Sequence, residues 1–159
     1  MESIPPLFVG RFQPFHRGHL DVIKQILKRH KKVIIGIGSC QYKNLPNNPF
    51  SSTLRIKMIK TSLQETKIPR NKFRIVKIPD IHDDTRWVTH VEKLCPPFGD
   101  LYSGAPKVQY LFKQNKKHKV IKPKFNLHIS ATDIRRKMAN EKKWAHLVPN
   151  AVRKILKKH

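Results

Sequence analysis

Gly10-Arg11-Phe12-Gln13-Pro14-Phe15-His16-Arg17-Gly18-His19 follows the apolar run Leu7-Phe8-Val9 and precedes Leu20-Asp21-Val22-Ile23-Lys24-Gln25-Ile26-Leu27, where apolar residues recur at helical spacing. A short apolar run that stops at glycine, a loop and an amphipathic stretch read as strand, loop and helix. The pattern then repeats. Lys32-Val33-Ile34-Ile35-Gly36-Ile37-Gly38 is β-branched on successive positions, as a central parallel strand buried on both faces requires, and stops at Gly38-Ser39. Ser51 or Ser52 caps a helix carrying Leu54, Met58, Ile59 and Leu63, and Phe73-Arg74-Ile75-Val76-Lys77-Ile78-Pro79 is the third strand. Asp83 and Asp84 precede Trp87, Val88, Val91 and Leu94 at the acidic start of a helix that Pro96-Pro97 ends. Leu101-Tyr102-Ser103-Gly104 is a fourth strand, followed by Val108, Leu111 and Phe112 at helical spacing.

Four strand-then-helix units imply right-handed crossovers and an α/β fold, a Rossmann-like doubly wound parallel sheet with helices on both faces. The rest of the chain adds a strand around Val120-Ile121 and helices near 132–138 and 149–156, a short helical C-terminal region. With no repeat, low-complexity linker or compositional break, residues 1–159 are expected to form a single domain. Ligands of such sheets bind at the carboxyl ends of the strands. That directs attention to 10–19, 38–50, 79–87 and 103–106.

In the first of these loops, His16 and His19 flank Gly18 at a helix start. Two ring donors beside backbone amides suit phosphate oxygens, and Gly18 lets a nucleotide approach the backbone closely. Arg17 is expected to point into solvent. A metal pair, which lacks a third ligand, and two plain surface histidines are the competing readings. Ser130 and Thr132 are N-cap candidates before Ile134 and Arg135, so their hydroxyls and the first amides of that helix form a second candidate phosphate loop; an ordinary capped helix is the plainer alternative. Trp87 offers an aromatic face to a flat, cationic ring, against the alternative of a core tryptophan.

The formal net charge of +24 attracts anions, whether nucleotides, phosphates, nucleic acid or acidic headgroups, without choosing among them. Basic clusters at 28–32, 113–124 and 153–158 read most simply as solvated surface. Only Cys40 and Cys95 are available for a bridge, and the aliphatic runs supply enough core without one, which favours a reducing, cytoplasmic setting. No apolar run approaches membrane-spanning length and the first residues lack a signal pattern, so a soluble, unprocessed protein with no membrane contact is expected.

The loop 10–19 resembles the signature of the archaeal-type nicotinamide-mononucleotide adenylyltransferases, within the nucleotidylyltransferase superfamily. Ile37-Gly38-Ser39, Asn48-Pro49-Phe50, Asp80-Ile81, Trp87-Val88, Pro96-Pro97-Phe98, Tyr102-Ser103-Gly104 and Ser130-Ala131-Thr132-Asp133-Ile134-Arg135-Arg136 match the same family in order and at similar spacing, so the resemblance covers nearly the whole chain. It implies an adenylyltransferase in which the 5′-phosphate of nicotinamide mononucleotide (NMN) attacks the α-phosphorus of ATP. NAD and pyrophosphate are the products, Mg2+ accompanies ATP, and no covalent enzyme intermediate forms. His16 and His19 would hold the α/β-phosphate region and Arg11 and Arg135 would neutralise the departing pyrophosphate, these four being the implied catalytic residues. Gly10, Phe12, Gly18, Ser130 and Thr132 complete the implied ATP site. Gly38, Ser39, Asp80, Ile81 and Trp87 form the implied acceptor site, with Trp87 stacked on nicotinamide and Asp80 and Ile81 bonding its carboxamide, partly through backbone groups.

The resemblance also implies a homo-oligomer, a hexamer in the family's habit. Asn47 departs from it, standing where some members carry an arginine that assists pyrophosphate binding; Lys43 is a candidate substitute. Two rival readings remain: the same ATP site with another phosphate acceptor, and a basic nucleic-acid-binding protein whose non-specific association coexists with catalysis.

Overall fold

The computed structural model describes residues 3–159. Strands β1 (Leu7–Gly10), β2 (Val33–Gly38), β3 (Phe73–Ile78), β4 (Leu101–Tyr102) and β5 (Val120–Ile121) form one sheet in the order β3-β2-β1-β4-β5. Every neighbouring pair is parallel. Helices α1 (Arg17–Arg29), α2 (Ser52–Glu65), α3 (Asp84–Leu94), α4 (Pro106–Asn115), α5 (Ala131–Ala139) and α6 (Asn150–Lys157) cover it.

The pleat sends successive side chains to opposite faces. Phe8 of β1 and Val33, Ile35 and Ile37 of β2 enter a core with Val22, Ile23 and Ile26 of α1, Met58, Ile59 and Leu63 of α2, Ile134 of α5, and Val152 and Leu156 of α6. Leu7, Val9 and Ile34 face the other way, onto Val88 and Val91 of α3, Phe98, and Phe112 of α4. Both faces of the sheet are therefore buried, as its β-branched sequence anticipates.

Local chemistry sets the boundaries. Ser51, not Ser52, caps α2: its hydroxyl accepts from the Leu54 N–H at 3.2 Å. The Asp83 carboxylate accepts from the Thr85 N–H at 3.0 Å, with Asp84 in the first turn of α3. β3 stops at Ile78 because Pro79 has no N–H to continue the ladder. β4 ends at Tyr102, earlier than the sequence suggests; the Ser103 hydroxyl there accepts from the Ala105 N–H at 3.1 Å and starts a turn. No helix of the described residues is long and apolar enough to cross a membrane, and both cysteines are free.

Candidate active site

The strand order reverses direction between β1 and β4, the place where doubly wound sheets open a crevice at their carboxyl edge. A two-lobed cleft lies there. One lobe, about 260 Å³, takes in Phe12, His16, His19, Thr132 and Arg135. The other, about 460 Å³, takes in Gly38, Ser39, Asp80, Ile81 and Trp87. Val9, Gly10, Arg11 and Ala105 line both, so the lobes meet over the ends of β1 and β4.

In the smaller lobe the two histidines cap their own helix. His16 Nδ1 accepts from the His19 N–H at 3.3 Å and His19 Nδ1 accepts from the His16 N–H at 3.1 Å, a reciprocal capping box at the start of α1. Their rings stack with centroids 3.5 Å apart. Burial pushes the His16 imidazole down to about 4; burial, and then the neighbouring His16, hold His19 well below its usual value. Both rings are therefore neutral near pH 7. With each Nδ1 accepting, the proton of each ring sits on Nε2, which leaves two directed, uncharged donors.

Three sequence expectations change here. The backbone amides of His16 and His19 are engaged by the rings and are not free for phosphate. Gly18 is not among the residues lining the lobe, and a Cβ on it would stand 2.8 Å from His16 Cε1 and 3.0 Å from Nδ1, so the glycine makes room for the imidazole. Ser130 is the cap of α5, its hydroxyl accepting from the Asp133 N–H at 3.1 Å, and it too stands outside the lining; Thr132 is helical and lines the lobe. Arg17 is exposed, as expected.

Charge comes from arginines. The Arg135 guanidinium donates to the Gln13 carbonyl at 2.7 Å and to Thr132 Oγ1 at 3.2 Å, which fixes it across the lobe. Burial, then Arg11, lowers its pKa, and a guanidinium so shifted remains charged. Arg11 is exposed and faces both lobes.

The sequence reading missed Arg55, which is 0% exposed on the inner side of α2. Its guanidinium donates to the carbonyls of Arg11 at 3.0 Å, Gly38 at 3.0 Å, Ser39 at 3.1 Å, Tyr42 at 3.4 Å and Ser51 at 3.3 Å. One buried cation thus ties together the loops after β1 and β2. Burial is the main cause that lowers it to about 10, so it stays protonated at neutral pH. The sequence signal was a cation three and four residues before Met58 and Ile59, on the same face of the helix as both, whereas Lys57 and Lys60 fall outside it.

The loops that follow β1, β2 and β3 each hold a residue in the left-handed region: Phe12 at φ 55°, Ser39 at φ 50° and His82 at φ 53°. Such conformations in non-glycine residues cost on the order of 1 kcal/mol or more and persist where surroundings enforce them. Here the enforcers are visible. Phe12 is wedged edge-on to Phe8 and His19 at centroid distances of 5.6 and 4.8 Å. The Ser39 carbonyl is held by Arg55, and His82 Nε2 lies 2.6 Å from the Tyr42 hydroxyl.

In the larger lobe, Trp87 stands on the first turn of α3 and packs edge-on against Phe112, at 5.8 Å and 89°. It is half-buried, so it serves the core and the cleft together. The Ser39 hydroxyl donates to Asp80 Oδ2 at 2.7 Å. Gln41 engages both backbone groups of Asp80, accepting from its N–H at 3.0 Å and donating to its carbonyl at 2.9 Å. This corrects the expectation that the Asp80 backbone is open to a ligand: its carboxylate is exposed to the lobe, and Ile81 follows with no such partner. Lys107, also missed, lines the lobe and pairs with Asp84 at 3.0 Å. Asn47 and Lys43 are exposed and line neither lobe.

The donor set says how a metal would arrive. Among the described residues no three His, Cys, Asp or Glu side chains cluster, and the lobe with the arginines and histidines has no carboxylate in its lining. A hard divalent cation that keeps its waters and binds phosphate oxygens suits that arrangement as part of a metal nucleotide, not as a caged ion.

The cytidylyltransferase-like family model matches residues 7–137. The nicotinamide-nucleotide adenylyltransferase of Thermococcus sibiricus is 40% identical over 152 residues, which span 95% of this chain and 82% of that protein. The enzyme of the same name from Methanococcus vannielii is 42% identical over 146 residues, 91% of this chain and 83% of that one. Among solved structures, a bifunctional NMN adenylyltransferase/ADP ribose pyrophosphatase from Francisella tularensis, complexed with AMP and a manganese ion, is similar at a TM-score of 0.75 and 28% identity. The match covers 92% of this chain and 44% of that chain, so this protein spans under half of the two-function enzyme.

Proposed function

We infer the function from one premise: the chain belongs to the cytidylyltransferase-like family and, within it, to the nicotinamide-nucleotide adenylyltransferases. It is an adenylyltransferase that joins ATP and NMN to give NAD and pyrophosphate. The observation that carries the assignment of substrates to lobes is the meeting of a cationic lobe and an aromatic lobe over Gly10 and Arg11.

ATP takes the smaller lobe. Its α- and β-phosphate oxygens accept from the Nε2–H donors of His16 and His19, and Phe125 and Ile129 offer apolar surface to adenine. NMN takes the larger lobe, its cationic ring on Trp87 and its carboxamide at Asp80 and Ile81, with Ser39 holding the Asp80 carboxylate. A 5′-phosphate oxygen of NMN forms a bond to the α-phosphorus while the bond from that phosphorus to the bridging oxygen breaks, and pyrophosphate leaves with the electron pair. The phosphate is largely deprotonated near neutral pH, so no side chain need remove a proton. The protein's contribution is alignment and charge. Arg11 and Arg135 face the charge that develops on pyrophosphate; a divalent ion, Mg2+ in our reading, would be held by the ATP phosphates and would supply further neutralisation of that charge.

The direct test incubates purified protein with ATP, Mg2+ and, in parallel, NMN, nicotinic acid mononucleotide and phosphopantetheine, and separates the products. NAD is the expected product of the first; its absence would overturn the reading. A cytoplasmic setting and a homo-oligomer, hexameric by family habit, complete the proposal. Light scattering in moderate salt tests the latter, and a monomer would refute it.

A further inference from the structure

Away from the cleft, α6 borders a concavity of about 500 Å³ lined by Arg17, Lys142, Lys143, Arg153 and Lys157, with the half-buried Trp144 in its wall and no acidic residue. All five cations are exposed, and none makes an ion pair in the described residues. The basic surface continues. On the other flank of α6, Lys154 and Lys158 share a second depression with Lys57 of α2, and beyond Gln64 it passes to Lys60, Lys67 and Arg70. Glu65 is the single acid along this path. With 14 residues, α2 alone extends about 21 Å, far more than one nucleotide needs.

We propose that this track is a single-stranded nucleic-acid site, with the backbone phosphates following the cations along α6 and α2 and one base stacked on Trp144. Cations alone would accept any polyanion. The indole set into the wall of the concavity, next to Lys142 and Lys143, is what selects an unpaired base, since a flat aromatic surface gains stacking energy only from a base that is not already paired within a duplex. A membrane surface fits less well: Trp144 lies in a recess packed on the core, where it cannot protrude into lipid. The formal charge of +24, which substrate binding alone does not require, has a use in this arrangement.

The test measures fluorescence anisotropy of a labelled oligothymidylate across a salt series, with the full chain and two charge-reversed variants. R153E/K157E removes cations from the track; K31E/K32E makes the same charge change at exposed positions before β2. The expected result is weaker binding for R153E/K157E, with a salt slope shallower by about 0.7 for each phosphate no longer neutralised, little change for K31E/K32E, and NAD formation by both variants at the parental rate. Equal weakening in both variants would reduce the effect to net charge and overturn the site. In a Trp87→Phe background, oligothymidylate is expected to quench Trp144 emission while sodium polyphosphate does not. Unchanged emission, equally tight duplex binding, or acidic phospholipid vesicles binding with the same dependence on Arg153 and Lys157 would each overturn the proposal.

Discussion

Replacing His16 by asparagine removes a titrating ring while keeping a side chain that accepts a backbone N–H at an N-cap. In the folded chain burial holds the His16 imidazole at about 4, whereas an unfolded histidine titrates near 6.5. As pH falls below about 6.5 the unfolded chain takes up the proton first, so the stability present in full above that pH is lost progressively towards pH 4. Linkage puts the loss from this one residue at about 1.4 kcal/mol by pH 5.5 and about 2.5 kcal/mol by pH 4.5. Urea denaturation followed by circular dichroism at pH 7.5, 5.5 and 4.5, in constant salt, gives the stabilities of the parent and H16N. Their difference should shift in favour of H16N by at least about those amounts as the pH drops, since the general positive charge is common to both and the loss of His16 also relieves its lowering of His19, which acts in the same direction. Stability curves that run parallel within about 0.5 kcal/mol would refute the claim that His16 is buried and neutral.

Gly18→Ala tests the packing of the same rings: alanine is the better helix former by about 1 kcal/mol, yet its Cβ would strike an imidazole backed by His19. We expect a lower Tm and a fall in kcat of about tenfold or more, and a raised Tm with full activity would contradict the structure. Arg55→Met takes the guanidinium from five backbone carbonyls: Ser39 keeps the Tyr42 N–H and Ser51 keeps the Arg55 N–H, while those of Arg11, Gly38 and Tyr42 lose a donor; a loss of about 3 kcal/mol follows, read as a Tm lower by about 10 °C in a chain of this size. Trp87→Ala should raise KM for NMN about tenfold while KM for ATP holds, and Trp87→Phe should restore most of it. A rise confined to ATP would reverse the assignment of the lobes.

Much of the site could be read in order along the chain, because each binding loop follows a strand whose β-branched run marks its own end. His16, His19, Ser39, Asp80 and Trp87 all lie in such segments, Thr132 and Arg135 are marked instead by the capped start of α5, and the cleft gathers them. Arg55 escaped because it lies in the first turn of α2, 17 residues past Gly38 at the end of β2, and its five acceptors come from the two separate loops after β1 and β2. Gln41 escaped for a related reason: an exposed amide gives no signal until the partner loop, 39 residues on, is brought beside it.

By itself the sequence determined the alternation of strands and helices, the parallel sheet and the loops that carry function, since burial repeats at the period of each element and is written in neighbouring residues. Only the tertiary structure decided which groups remain available. Two histidines read as ring donors beside free amides became neutral donors whose Nδ1 atoms occupy those amides. A glycine assigned to the nucleotide turned out to accommodate a ring, and a backbone assigned to the acceptor was already bonded. The physical reason is common to all three: hydrogen-bond occupancy and charge state depend on burial and on partners brought together by folding.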